Sequence, residues 1–178
     1  MSLEVLRYPI GKFSPPAHIS PETLAAWIGD IERLPRDARM QVGDMSAAEL
    51  DTPYRPGGWT VRQVVHHLGD SHMNSFVRFK WALTEERPTI KAYWEARWAR
   101  LPDYAVVPVP AALDFLDALH LRWVALLRNL PPVDLEREFV HPESGPVTLA
   151  LTIGNYAWHG RHHLAQIAAL YRGGKPAG

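Results

Sequence analysis

TVRQVVHHLGDSHMNSFVRFKWALTEERP, residues 60–88, starts on a helix-opening signal and stops on a helix-closing one. Thr60 and Gln63 have the spacing of a capping box, in which each side chain satisfies a backbone N–H that the first turn leaves free. Pro88 closes the segment. Between them Val61, Val64, Val65, Leu68, Phe76, Phe79 and Leu83 recur every three or four residues, the period of one helix face. With His67 at zero and about 100° per residue, the apolar stripe centres near roughly +120°. Ser71, Asn74 and Arg78 then fall within roughly 40° of His67, and His66 lies about 100° further out. A polar line beside an apolar stripe is what the wall of a cleft needs. His72 falls in the middle of the stripe, as a core histidine or a group lining the site from below.

Three more helices follow from the same rules. SPETLAAWIGDIERL (20–34) opens with Ser20 as N-cap and Pro21 at the first helical position. Leu24, Trp27, Ile28 and Ile31 recur at helical spacing. A third helix runs from about Ala111 to Asn129 on Leu113, Leu116, Leu119, Trp123 and Leu127, stopped by Pro131 and Pro132. A fourth spans roughly Leu149 to Arg172 and ends at Gly173 and Gly174. SAAEL (46–50) reads as a single capped turn, DTPYRPGG (51–58) as a loop, TIKAYWEARWARLPDY (89–104) as a long connection with a short helix, and REFVHPESGPVTL (137–149) as loop or short extended chain. Residues 1–18, punctuated by proline and glycine, read as an extended arm. The expected fold is all-α: a single-domain four-helix bundle over residues 1–178 with long connecting loops, not bound to be up-down-up-down.

Composition narrows the function. Nineteen Lys and Arg balance nineteen Asp and Glu, so no basic excess points to nucleic acid or an anionic membrane. The absence of cysteine excludes disulfides, thiolate metal sites and a cysteine nucleophile. No stretch reads as a signal peptide or membrane span, and a cytoplasmic protein is expected.

A second histidine cluster lies in YAWHGRHHLAQI (156–167). With His159 at zero, Ile153, Leu164 and Ile167 fall between roughly +80° and +140°, His163 near +40° and His162 near −60°. His159 and His163 are therefore a one-turn pair on the inner edge, able to grip one ion. His162 is expected on the solvent side or as a supporting group, and His120 as a supporting group at most. A helical pair plus one histidine from another helix gives three imidazole ligands, a set suited to Zn2+ or Ni2+ that leaves coordination positions open. No His-Glu-x-x-His, G-x-S-x-G, P-loop or dinucleotide fingerprint occurs. Glu138 and His141 form one Glu-x-x-His, in a connection rather than on a helix, so a di-iron bundle site is not expected. Trp27, Trp81, Trp123 and Trp158, on expected helices, read as packing residues.

YPIGKF, TPYRPGGWTVRQVVHHLGDSHMN, RFKWALTE, LHLRWV and YAWHGRHHLAQI resemble, in that order along the chain, the YfiT-like branch of the DinB superfamily. The resemblance runs from Tyr8 to about Gly173. It implies a four-helix DinB bundle, a homodimer, and one divalent metal ion per chain held by three histidines with water completing the shell. Carried over by position, the ligands are His67, His159 and His163, the three that the helix count selects. Relatives are described as metal-dependent hydrolases or as bacillithiol transferases. Gly69 stands where relatives often carry alanine and slightly weakens its helix; Ala92 and Trp94 replace an expected proline and a small polar or acidic residue, which bears on substrate rather than metal.

The resemblance leads to a metal-dependent transferase joining a low-molecular-weight thiol to an electrophile, these two small molecules being the expected partners. Hydrolysis by activated water and a non-catalytic binding bundle are the alternatives. Asp70 is the nearest carboxylate by sequence for the base that hydrolysis needs. Arg78 could pair with a carboxylate on the thiol. Asp70, Ser71, Asn74 and Arg78 are thus the candidate groups around the metal.

Overall fold

The computed structural model describes residues 2–170. It opens with one helical turn, α1 (Leu3–Arg7), where the Ser2 hydroxyl accepts from the Val5 N–H. The arm is thus not wholly extended as expected. Then come α2 (Pro21–Val42), α3 (Ala47–Leu50), α4 (Val61–Thr84), α5 (Glu95–Trp98), α6 (Asp103–Val106) and α7 (Val109–Arg128). A 3₁₀ turn (Pro132–Glu136), strands β1 (Glu138–His141) and β2 (Gly145–Thr148), and α8 (Leu149–Ala169) complete the order. The expected extension of the last helix to Arg172 lies outside the described residues. The expected capping boxes at Ser46 and Thr60 are both formed. β1 and β2 form an antiparallel hairpin, and Gly145 takes a left-handed φ of 77° at its tight turn, where a side chain would be strained. The fold is otherwise an all-α four-helix bundle.

Two of the four helices differ from their expected bounds. α7 begins at Val109, after Pro108, rather than near Ala111. α2 runs on past Pro35, although proline removes a helix hydrogen bond and normally ends or kinks the helix. Burial holds it together: Leu34, Ala38 and Val42, on either side of Pro35, all lie in the core.

The helices pack in the cyclic order α2, α7, α4, α8. Arg39 pairs with Asp114 and Asp117 and Arg128 with Glu32, so α2 and α7 run antiparallel. His72 stacks on His120 and Phe79 packs on Trp123, so α4 and α7 run parallel. Gly154 lies against Trp27, Gly160 against Leu34, and Gln41 donates to the Leu164 carbonyl, so α2 and α8 also run parallel. This is why the connections are long. Residues 43–60 and 129–148 each join diagonal helices, and residues 85–108 must return the full bundle length to begin a parallel neighbour.

The core has two apolar halves. One contains Ile31, Phe79, Trp123, Leu149 and Ile153. The other contains Leu34, Val64, Leu68, Leu116 and Ile167. His72 and His120, fully or almost fully buried, lie at the level where they meet.

Candidate metal centre

α4 and α8 pack antiparallel, which brings the two histidine clusters face to face. The Nε2 atoms of His67 and His163 lie 3.2 Å and 3.1 Å from Nε2 of His159. All three atoms are within 4.8 Å of one another. His159 and His163 sit one turn apart on α8, and His67 reaches them from the first half of α4. Burial pushes all three imidazoles well below the ordinary histidine range, and the neighbouring histidines push them further down. Three neutral rings thus turn their Nε2 atoms toward one point.

Hydrogen bonds behind the rings decide whether those nitrogens can act as ligands. Gln166 donates through Nε2 to the Arg7 carbonyl at 2.9 Å, which orients its amide. Its Oε1 must then accept from His163 Nδ1, 2.8 Å away. The proton of His163 is on Nδ1, and Nε2 carries a bare lone pair. His159 Nδ1 is engaged by His72 Nε2 at 3.1 Å. His67 Nδ1 is buried without a hydrogen-bond partner, beneath the Trp59 ring at a centroid distance of 4.6 Å. The bare lone pair of His163 thus joins two further imidazole nitrogens in one cluster, and wherever two bare lone pairs meet at such a distance they repel unless a cation lies between them. The donor set therefore fits a late divalent ion, and its three nitrogens leave coordination positions open.

A cavity of about 540 Å³ opens from these nitrogens, lined among others by Trp59, Ser71, Tyr93, Glu95 and Tyr156. The Ser71 hydroxyl is 3.5 Å from the Tyr156 hydroxyl and also contacts Tyr93. Burial pushes the Tyr93 phenol up, so it stays protonated and able to donate at neutral pH.

The structure sorts the four candidate neighbours. Ser71 lines the metal cavity. Asp70 does not: its carboxylate accepts from Tyr104 at 2.6 Å, one helix face away. Asn74 donates to the Asp70 carbonyl and also lies outside the cavity. Arg78 faces a second cavity of about 520 Å³ that shares Tyr93, Glu95 and Ala96 with the first. The helix count put Ser71, Asn74 and Arg78 near His67 in angle, but Asn74 and Arg78 lie about two and three turns along the axis, past the reach of the site, while Asp70 falls about 60° to the other side and faces Tyr104. His162, expected on the solvent side or as a supporting group, is buried: its ring stacks on Trp158, and its Nε2 accepts from Gln166, the side chain that also holds His163. The N-terminal arm covers the face that a lone α8 would expose. Trp59, Tyr93, Tyr156 and Gln166 escaped the sequence reading. Only Tyr156 and Gln166, each one turn from the histidines of α8, had a periodicity that could have revealed them.

Residues 30–167 match a family model described as the DinB superfamily. The chain belongs to the DinB superfamily. A Bacillus mycoides protein provisionally named a metal-dependent hydrolase is 57% identical over 165 residues, covering 93% of this chain and 95% of the relative. A Bacillus cereus protein with the same provisional name is 56% identical over the same lengths. Among solved structures, YfiT from Bacillus subtilis superposes with a TM-score of 0.91 at 47% identity, covering 94% of this chain and 97% of that one. It is described as a probable metal-dependent hydrolase with an unusual four-helix bundle topology. The sequence resemblance to the YfiT-like branch is thus borne out. Metal dependence and an enzymatic role, indicated by the relatives' names, agree with the histidine cluster. No helix among the described residues is long and apolar enough to cross a membrane.

Proposed function

We propose that this DinB-superfamily protein uses one divalent ion, held by His67, His159 and His163, to join a low-molecular-weight thiol to an electrophile. Zn2+ and Ni2+ both suit three imidazoles. A bound ion supplies Lewis acidity, lowering the pKa of a thiol or water that reaches it. In the transfer the thiol loses its S–H proton to solvent. A sulfur lone pair forms the S–C bond, and the leaving group departs with the electrons of the bond that breaks.

The observation that carries this reading is the character of the cavity wall. Hydroxyls of Ser71, Tyr93 and Tyr156 face the site, and Asp70, the base that sequence suggested for hydrolysis, is committed to Tyr104. A free thiol has a pKa of about 8.5, so it needs little further help to lose its proton at neutral pH. Hydroxyl donors suffice to orient an electrophile. Arg78 supports an anionic thiol. Its side chain is buried, yet it forms no ion pair among the described residues, and its guanidinium donates only to the Lys91 carbonyl, at 3.5 Å. A carboxylate on the thiol would supply that cation with a charge-assisted partner. Trp94, carrying Arg97 3.4 Å over its ring, lines the same cavity as Arg78.

Hydrolysis is the second reading, favoured by the names of the relatives and by Glu95, an exposed carboxylate on the cavity wall. Protein loaded with zinc or nickel, and a metal-stripped control, would be mixed with a panel of thiols and an electrophile. Metal-dependent conjugation with one preferred thiol is the expected result. Bound metal with no conjugation, but turnover of an ester or amide, would replace transfer by hydrolysis.

A further inference from the structure

Pro35 has no N–H, so the Ile31 carbonyl one turn earlier in α2 lacks its helix partner. That carbonyl is not left empty. His120 of α7 places Nδ1 2.7 Å from it. A carbonyl oxygen can only accept, so His120 carries its proton on Nδ1 and its Nε2 is an acceptor. His72 Nδ1 lies 2.9 Å from that Nε2 and must donate to it. His72 Nε2 is then the acceptor for His159 Nδ1, 3.1 Å away. The proton of His159 is therefore on Nδ1, and its Nε2 lone pair enters the metal centre.

Each step follows from the one before because the rings are neutral and dry. His72 and His120 are 0% and 2% exposed. Burial holds both below the ordinary histidine range. The two rings stack at 4.9 Å, so each has little room to rotate. Reversing the tautomer of His159 would reverse all three rings. It would leave a bare His120 nitrogen against the Ile31 oxygen, two acceptors at 2.7 Å in a dry core.

We propose that His72 and His120, anchored on the carbonyl that Pro35 sets free, are positioning residues that impose the Nδ1–H tautomer on His159 and so aim its Nε2 at the ion. A metal-ligating histidine usually rests on a carboxylate or carbonyl directly. Here its support is a ring whose own tautomer must be specified, and the specification is passed on until it reaches backbone.

This inference rests on the metal-binding reading above, and the test separates the two. Zinc affinity would be measured by chelator competition, and tautomers by 15N NMR of histidine-labelled, metal-free protein. The metal-free wild type should show His120, His72 and His159 all as Nδ1–H. His72→Phe, which removes the acceptor behind His159, should weaken zinc binding by roughly 10–100-fold. His120→Phe leaves the His72–His159 contact intact but removes its anchor; a mixture of His159 tautomers and weaker zinc binding are expected. His120→Gln, whose amide can both donate to Ile31 and accept from His72, should restore both readouts. If His72→Phe fails to fold, the two His120 variants decide the question. An Nε2–H tautomer of His159 in the wild type, or wild-type zinc affinity in His120→Phe, would overturn the inference alone. A wild type that takes up no zinc would overturn the metal reading and this inference with it.

Discussion

The three clustered histidines are not held alike. His159 and His163 each have Nδ1 tied to a partner that leads to a backbone carbonyl, while His67 Nδ1 has none. His162 offers no nitrogen to the centre, since its Nε2 is occupied by Gln166. His159→Ala and His163→Ala should therefore each strip the metal, whereas His162→Ala should retain it. Metal content of the purified variants checks this, and loss from the His162 variant would refute the division of roles on α8. The clustering of His67, His159 and His163 was legible in sequence because a face assignment needs only the helical period. Asn74 and Arg78 were misplaced because reach into a site also depends on height along the axis, and the fate of Asp70 depended on Tyr104, far along the chain.

At the scale of elements, α1 and α8 show how short-range and long-range effects combine. α1 is a single turn that would not persist alone. It forms against α8, and its last carbonyl, on Arg7, orients Gln166 behind His163. The close approach of α2 to α8 depends on Gly160, where a Cβ would lie 2.7 Å from a terminal carbon of buried Leu34. Gly160→Ala should therefore destabilise the protein by about 1–3 kcal/mol through overpacking, read as a lower Tm. An unchanged Tm would mean that α2 moves aside freely. The starts of α2, α3 and α4 were readable from local caps, while that of α7, which has no side-chain cap, was not. The passage of α2 through Pro35 was not, because the compensating contacts come from α7 and from core burial.

At the scale of the molecule, the histidines couple stability to acidity. Burial holds His120 and His162 at about 4 in the folded chain, against 6.5 when exposed. Below pH 6.5 the unfolded chain binds protons that the folded chain refuses, so stability falls as pH drops from about 6.5 to about 4 and then levels for these groups. For buried His120 the loss is on the order of 3 kcal/mol. Metal-free protein should show a Tm that declines through this range, and His120→Gln should make the decline shallower. A flat Tm from pH 7 to 4 would show that these rings titrate normally.

Four helices, their caps and the inward edges of two histidine clusters were determined by the sequence itself. These features depend on spacing of three or four residues and on the chemistry of helix ends. The cyclic order of the helices, the parallel pairing of α4 with α7, and the chain of rings from Ile31 to His159 were decided only by tertiary structure. Their partners lie tens of residues apart, and which nitrogen of a histidine bears the proton depends on what the fold places against it.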